Sequence, residues 1–280
     1  MLGWPRPPRR SRGRGSSYPA RCRRMNSKEA ELTRRFYAAY HNPRLAVLEG
    51  FHPARHAARF GARLDVAVTY DREKLHKLGE RLAPEFVPSI DEMLQVVSRE
   101  RFTRLSRRSL SSPLLSICTR PEYDIASVLA ERAKPVVHLD RPRNPGNVGA
   151  VIRVAAAADL GAVTVSGQDP WSPVALRSAT GLQFALPVAG MELSTSCSRP
   201  IVAVDIDGDP VHTSNLPRDA ILVVGGERRG LPGWIRDVAD RSVGVPMKPG
   251  VSSLNLATAL SAVLYAWKIS AFERDGCYPW

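Results

Sequence analysis

The sequence predicts an α/β protein of two layers, the second a mostly parallel sheet covered by helices on both faces. Three observations predict it. Residues 136–139, 162–165, 201–204 and 221–224 are short β-branched runs bounded by turn residues, with helical stretches at 148–160 and near 174–182 among them. Continuous apolar strands alternating with helices mark a parallel sheet buried on both sides. Before residue 125, strand-like and helix-like segments alternate as well, which marks a smaller α/β layer. Finally, 280 residues at 44% apolar content suffice for more than one core.

In chain order, residues 1–25 hold many Arg, Pro, Gly and Ser and no acid, so they form a basic leader expected to be disordered. No apolar run of signal-peptide type follows its arginines. Arg outnumbers Lys 34 to 6 along the chain, the bias of a GC-rich bacterial genome, and Met25 then offers a second start. From 26 to about 40, Leu32, Phe36, Tyr37 and Tyr40 recur at helical spacing. Residues 44–50 read as a strand, 51–60 as a helix closed by Gly61, 65–69 as a strand and 72–82 as a helix. Residues 85–87 read as strand-like, 90–97 as a helix, 114–118 as a strand, and 125–134 as helix and linker. The closing helix, 257–269, puts Leu260, Leu264 and Trp267 on one face, with Ser252 or Ser253 as its N-cap. The expected division is leader 1–25, first domain 26–125, linker 126–134 and second domain 135–272.

Charge follows this division. The formal charge is +13, but residues 135–280 balance thirteen basic against thirteen acidic residues, so the surplus lies wholly in the leader and first domain. A polyanion held by the N-terminal side, with chemistry in the C-terminal half, suits that asymmetry. No apolar run approaches the roughly 18 residues of a membrane span, so no membrane is expected as a partner. Cys22, Cys118, Cys197 and Cys277 are far apart, indicating neither a metal site nor a disulfide framework; a reducing, cytoplasmic setting is expected.

Three segments carry chemistry. Asn144–Arg153 follows the 136–139 strand, and a strand feeding a Gly-bearing turn into a helix presents free N–H groups to an anion. Read as a dinucleotide turn it has Gly146 and Gly149 only, with Asp169 as the distant acid, an incomplete fingerprint. Next comes Val223-Val-Gly-Gly-Glu-Arg-Arg-Gly-Leu-Pro232, where paired glycines at a strand end admit a ligand close to the backbone and Glu227 stands at the strand's carboxyl end. Last is Val245-Pro-Met-Lys-Pro-Gly-Val-Ser-Ser-Leu-Asn-Leu256 before the closing helix. Each alone reads as a plain turn or cap.

In this order and spacing the three closely resemble the SpoU/TrmH-type branch of the SPOUT RNA methyltransferases, over roughly residues 135–270. Asn147 and Arg153 match its first element, Gly225, Glu227 and Gly230 its second, and Val245, Pro246, Met247, Ser253, Leu254 and Asn255 its third. The resemblance implies a deep trefoil knot, S-adenosylmethionine as cofactor, a homodimer whose active site is completed across the interface, and methyl transfer to a ribose 2′-hydroxyl of structured RNA. It implies cofactor contacts at Gly225, Val245, Met247, Leu254 and Asp205, and catalytic roles for Arg153, Asn147, Glu227, Ser253 and Asn255. Since a guanidinium is a very poor base, Arg153 is expected to clamp an RNA phosphate and stabilise alkoxide charge.

Residues 45–56, 86–90 and 109–118 resemble the ribosomal-protein-type RNA-binding domain often fused to this catalytic domain. Arg55, Arg59, Arg63, Arg101, Arg104, Arg107 and Arg108, with Arg99, are then the expected phosphate partners. That domain favours ribosomal over transfer RNA, and 23S ribosomal RNA is the expected substrate. A transfer-RNA ribose methyltransferase, a nucleotide-binding oxidoreductase and a non-catalytic RNA-binding protein remain open.

Overall fold

The computed structural model describes residues 27–194, 198–213 and 216–276; the leader, Cys197 and Cys277 lie outside them. The elements, in chain order, begin with α1 (Ser27–His41), β1 (Leu45–Glu49), α2 (Phe51–Arg59), β2 (Leu64–Thr69), α3 (Arg72–Leu82), α4 (Phe86–Ile90), β3 (Leu94–Val96), α5 (Arg99–Ser106), β4 (Leu115–Thr119) and α6 (Ile125–Glu131). They continue with β5 (Val136–Asp140), α7 (Pro145–Ala157), β6 (Ala162–Val165), α8 (Pro173–Ser178), β7 (Val188–Gly190), β8 (Ile201–Pro210), β9 (Ile221–Gly225), α9 (Gly233–Val238), β10 (Arg241–Gly244) and α10 (Leu256–Asp275). Among the described residues no helix is long and apolar enough to cross a membrane.

Among the described residues the strands form two sheets. The first has four strands in the order β1-β4-β2-β3, antiparallel except for the β2/β3 pair. The second has six, all parallel, in the order β10-β8-β9-β5-β6-β7. From β5 the chain winds outward through β6 and β7, then returns to build β8, β9 and β10 on the other side. The order therefore reverses between β5 and β9, where an open parallel sheet offers a crevice at its strand carboxyl ends.

The first sheet packs α1 and α5 on one face through Leu32, Phe36, Val66, Phe102 and Leu115. Its other face joins α2, α3 and α4 to a core that continues through α7, α8 and α10 to the second sheet. Val136, Ile201, Ile221 and Val223 cover that sheet's far face with Leu231 and Ile235. The seam between layers is specific. Tyr40 donates from its hydroxyl to Glu49 Oε1 (2.9 Å), and the buried Glu49 carboxylate pairs with Arg177 of α8. His56 Nδ1 donates to Thr180 O (2.7 Å), and Gly181 (φ +78°) lies so close to Pro53 that a Cβ would meet its carbonyl oxygen at 2.6 Å.

Two expected elements exchange their character. Residues 85–87, read as strand-like, start helix α4, because Val87 must fit over Gly79 of α3, where an added Cβ would meet it at 2.3 Å. Residues 90–97, read as helix, turn instead through Met93 N–H to Ile90 O and lay Leu94–Val96 beside β2 as an edge strand. An eight-residue window cannot separate these outcomes; the vacant edge of β2 decides. The closing helix begins at Leu256, and neither Ser252 nor Ser253 caps it. Asn255 does, its Oδ1 accepting from Ala257 N (3.0 Å) and Thr258 N (3.3 Å), as Asn caps as well as Ser.

Candidate active site

The loops after β5 and β9 leave the sheet side by side, since Asp140 pairs in register with Gly225. Gly225 and Gly226 hold this corner because nothing larger fits. A Cβ on Gly225 would meet the Gly230 carbonyl carbon at 2.2 Å, and one on Gly226 the Arg141 carbonyl oxygen at 2.7 Å. A bridge between Gly226 and Gly230 closes the β9 loop into a tight turn.

Glu227 sits in that turn and ties it to the neighbouring one. Its carboxylate accepts from Arg143 N (2.8 Å), Asn144 N (3.2 Å) and Asn147 Nδ2 (2.8 Å). Partial burial acts to raise its pKa, but the hydrogen bonds from Arg143 N, its own N–H, Asn147 and Asn144 outweigh this and hold it below the usual carboxylate range. Asn144 caps α7 through Gly146 N (2.8 Å), which places Asn147 in the helix's first turn. Asn255 Nδ2 donates to Asn147 Oδ1 (3.1 Å). One chain of hydrogen bonds therefore runs Glu227–Asn147–Asn255 and joins all three sequence segments.

Beside that chain lies a cavity of about 650 Å³. Gly225, Val245, Met247, Leu254 and Asp205 all line it, with Glu227, Ser253 and Asn255. Asp205 accepts from Arg236 Nε (2.7 Å). The wall combines apolar side chains with the exposed backbone of a glycine corner, which suits a ligand with a flat heterocycle and a polar tail.

Arg153 stands apart. It is exposed on α7, six residues and so about 9 Å along the axis from Asn147. Among the described residues it makes no hydrogen bond or ion pair, and Asn147 is bonded to Glu227 and Asn255 instead. It lies near His52 of α2, whose pKa is lowered first by burial and then by the charges of Arg55 and Arg153.

The expected RNA-binding arginines divide. Arg55 donates to Leu82 O (2.9 Å) and His56, Arg101 is largely buried against Glu29, and Arg107 lies over the Tyr40 ring (4.1 Å to its centroid). Arg59, Arg63 and Arg108 are exposed, and Arg104 makes only an exposed pair with Glu100 (3.1 Å). Sequence reasoning missed Lys74, Lys77 and Arg81, which with Phe51 and His52 line a cavity of about 490 Å³. The spacing i, i+3, i+7 on helix 72–82 was the available signal.

Comparison with known proteins agrees with this geometry. The family model described as the SpoU rRNA Methylase family matches residues 134–265. The chain is 30% identical over 197 residues, 62% of its length, to the 23S rRNA (uridine(2479)-2′-O)-methyltransferase of Streptomyces viridochromogenes, covering 69% of that protein. It is 27% identical over 183 residues, 61% of its length, to the 23S rRNA (guanosine(2553)-2′-O)-methyltransferase of Bacillus subtilis, covering 70% of it. In fold it is similar to the SpoU methyltransferase AviRb of Streptomyces viridochromogenes, solved with AdoMet, at a TM-score of 0.69 and 22% identity, covering 90% of this chain and 99% of that one.

Proposed function

The chain belongs to the SpoU rRNA methylase family, and from that premise we propose that it transfers a methyl group from S-adenosylmethionine to a ribose 2′-hydroxyl of 23S ribosomal RNA, in the cytoplasm. The observation that carries the reading is the Glu227–Asn147–Asn255 chain at the switch point of the parallel sheet, flanking a cavity walled by Gly225, Val245, Met247 and Leu254. Both relatives named above act on 23S ribosomal RNA at a ribose oxygen, and the similar fold was solved with the cofactor.

The residues present fit S-adenosylmethionine. A glycine corner with no room for a Cβ leaves backbone groups open to a purine edge, and Val245, Met247 and Leu254 supply the apolar wall. When bound, the cofactor supplies an activated methyl group on a sulfonium, so the protein has to provide position and electrostatics. Asn147 and Asn255, each already held by a neighbour, orient the ribose at the cavity mouth, and Ser253 adds a hydroxyl there. Glu227 keeps the two strand-end loops in register and stays ionised at neutral pH. Arg153 clamps a phosphate and stabilises charge growing on the 2′-oxygen; its side chain is too poor a base to take the proton itself.

The same reading includes a homodimer. Arg153 is exposed and does not line its own chain's cavity, and Tyr265, Ile269 and Phe272 leave an apolar stripe exposed along α10 (41%, 54% and 46%). Pairing through this helix brings Arg153 to a partner's cavity. The reading also includes the trefoil knot that the family resemblance implies. Residues 26–125 form the substrate-binding domain, 126–134 the linker and 135–272 the methyltransferase domain.

The test is methyl transfer to in vitro transcripts of 23S ribosomal RNA and of transfer RNAs, with cofactor binding measured alongside. Arg153→Ala should lower the rate by at least roughly 10²–10³, the scale of a lost charge-stabilising group, and leave cofactor affinity unchanged. Mixing Arg153→Ala with Glu227→Ala chains should restore activity that neither has alone; no recovery in proven mixed dimers would remove the cross-subunit site. Transfer to tRNA alone would replace the ribosomal substrate.

A further inference from the structure

Four arginines that the site described above does not use stand around a second cavity, of about 460 Å³. Arg141 and Arg143 follow β5, Arg228 and Arg229 follow β9, and the cavity is closed by Trp234 of α9. Because β5 and β9 are paired neighbours, and Glu227 bonds Arg143 N and Asn144 N, the two loops are held rigidly against one another. Gly226, Arg228 and Gly230 line this cavity and the larger one alike, so the two share a wall.

The charge here is not neutralised from within. Among the described residues Arg143, Arg228 and Arg229 have no side-chain hydrogen bond or ion pair, and Arg141 has only a 3.8 Å approach to Glu192, both side chains about 70% exposed. Two acids adjoin these arginines in sequence; Glu227 is spent on backbone amides and Asn147. Asp140, which lines the cavity, is buried and takes a bond from Ser166 Oγ (3.3 Å). Trp234 beside them is 47% exposed, an indole face with no stacking partner among the described residues. Guanidiniums bind phosphate oxygens in pairs, and an exposed indole accepts an unstacked base of any identity.

We propose that this cavity holds the nucleotide adjoining the modified ribose, its phosphodiester between the Arg141/Arg143 and Arg228/Arg229 walls and its base against Trp234. The proposal rests on the RNA methyltransferase reading and deepens it. The second layer, neutral in total, grips RNA itself beside the reacting centre, and it takes that nucleotide unpaired, since a stacked helical base offers no free face to the indole.

The experiment compares the full-length wild type with Arg228→Ala/Arg229→Ala, Arg141→Ala/Arg143→Ala, Trp234→Ala and Trp234→Phe. Binding of a 23S ribosomal RNA transcript is measured by filter retention across a salt series, with methyl-transfer kinetics and cofactor affinity in parallel. Each double variant should raise KM for RNA about 10–100-fold and flatten the slope of log affinity against log salt by as much as about 1, for the one phosphodiester no longer fully neutralised. Cofactor affinity should be unchanged in Arg141→Ala/Arg143→Ala and in the Trp234 variants, whose side chains do not line the larger cavity. Trp234→Ala should weaken RNA binding about tenfold or more, with Trp234→Phe recovering most of it. These side chains are exposed and lack internal partners, so melting temperatures should hold; a pair that did unfold would leave the opposite wall to decide. Unchanged KM and salt slope in both double variants would overturn the proposal and leave the methyltransferase reading intact. A wild type that binds RNA but transfers no methyl group would sink that reading, while the slopes still judge this one. A wild type that binds no RNA overturns both.

Discussion

In the layer built on the first sheet, Arg55, Arg101, Arg107 and Arg120 are turned to internal use: a helix carbonyl, a glutamate, a tyrosine face and Asp169 of the other layer. At the carboxyl edge of the second sheet, Arg141, Arg143, Arg228 and Arg229 surround a cavity with almost no acidic partner. The first region carries a net positive charge and the second is neutral in sum, yet the second concentrates free guanidiniums where chemistry is proposed. Net charge counts residues; binding depends on how many are left without partners. A second contrast follows from the same geometry. The first layer spends its polar groups on joining the two sheets, whereas the second spends Glu227, Asn147 and Asn255 on joining two loops and a helix terminus.

The largest effect is expected at the seam between the two layers. Arg177→Ala leaves Glu49 buried without its cation, bonded among the described residues to the Tyr40 hydroxyl alone, and should cost about 3 kcal/mol, the lower end for half of a buried pair because Arg177 is partly covered only. Chemical denaturation measures it; a loss below about 1 kcal/mol would mean that the layers do not depend on this pair.

The core of the second sheet gives the next test. His138 on β5 is buried, bonded at Nδ1 to Thr164 Oγ1 (2.9 Å), and its Nε2 lacks a partner among the described residues. Burial, opposed by the nearby Asp140 charge, pushes its pKa down to about 4. A depressed imidazole is held neutral by the fold while the unfolded chain protonates near 6.5. Stability is therefore full above about pH 6.5 and falls as pH drops toward 4, by at most about 3 kcal/mol. His138→Leu should flatten that limb in urea melts run between pH 4 and 7, whatever its effect on absolute stability.

The smallest effect sharpens the contrast among arginines. Arg101→Met removes the pair between a largely buried guanidinium and the half-exposed Glu29 and should cost about 1 kcal/mol with no change in the salt dependence of RNA binding. Arg104→Met, whose pair with Glu100 is exposed, should change stability by less than about 0.5 kcal/mol. If Arg101→Met flattened the salt slope as the strand-end variants are expected to, the division between internal and free arginines would fail.

Much of the fold was legible because burial writes itself into composition. Strands 136–139, 162–165 and 221–224 are nearly all apolar, and β5, β6 and β9 occupy those positions with at most one residue added. The short segments were not legible. Phe86–Ile90 and Leu94–Val96 carry too few residues for a period, and the fit over Gly79 and the open edge of β2 chose between helix and strand. In the site, Asn147, Glu227 and Asn255 were identifiable from their segments, but the bonds among them were not, since they span 80 and 108 residues. The cap of α10 was equally hidden, because Ser252, Ser253 and Asn255 are all capping residue types and only the start of the helix at Leu256 selects Asn255.

By itself, then, the sequence determined which residues carry chemistry and which runs form the parallel sheet, because residue type and apolar periodicity are local properties. Only the tertiary structure decided which charges are free. Arg101 and Arg229 are the same side chain, each within two residues of a glutamate in sequence, and what separates them is a second glutamate 72 residues away that packing brings to one of them. Proximity of distant residues is set by how the layers and strands are ordered in space, and no local pattern encodes it.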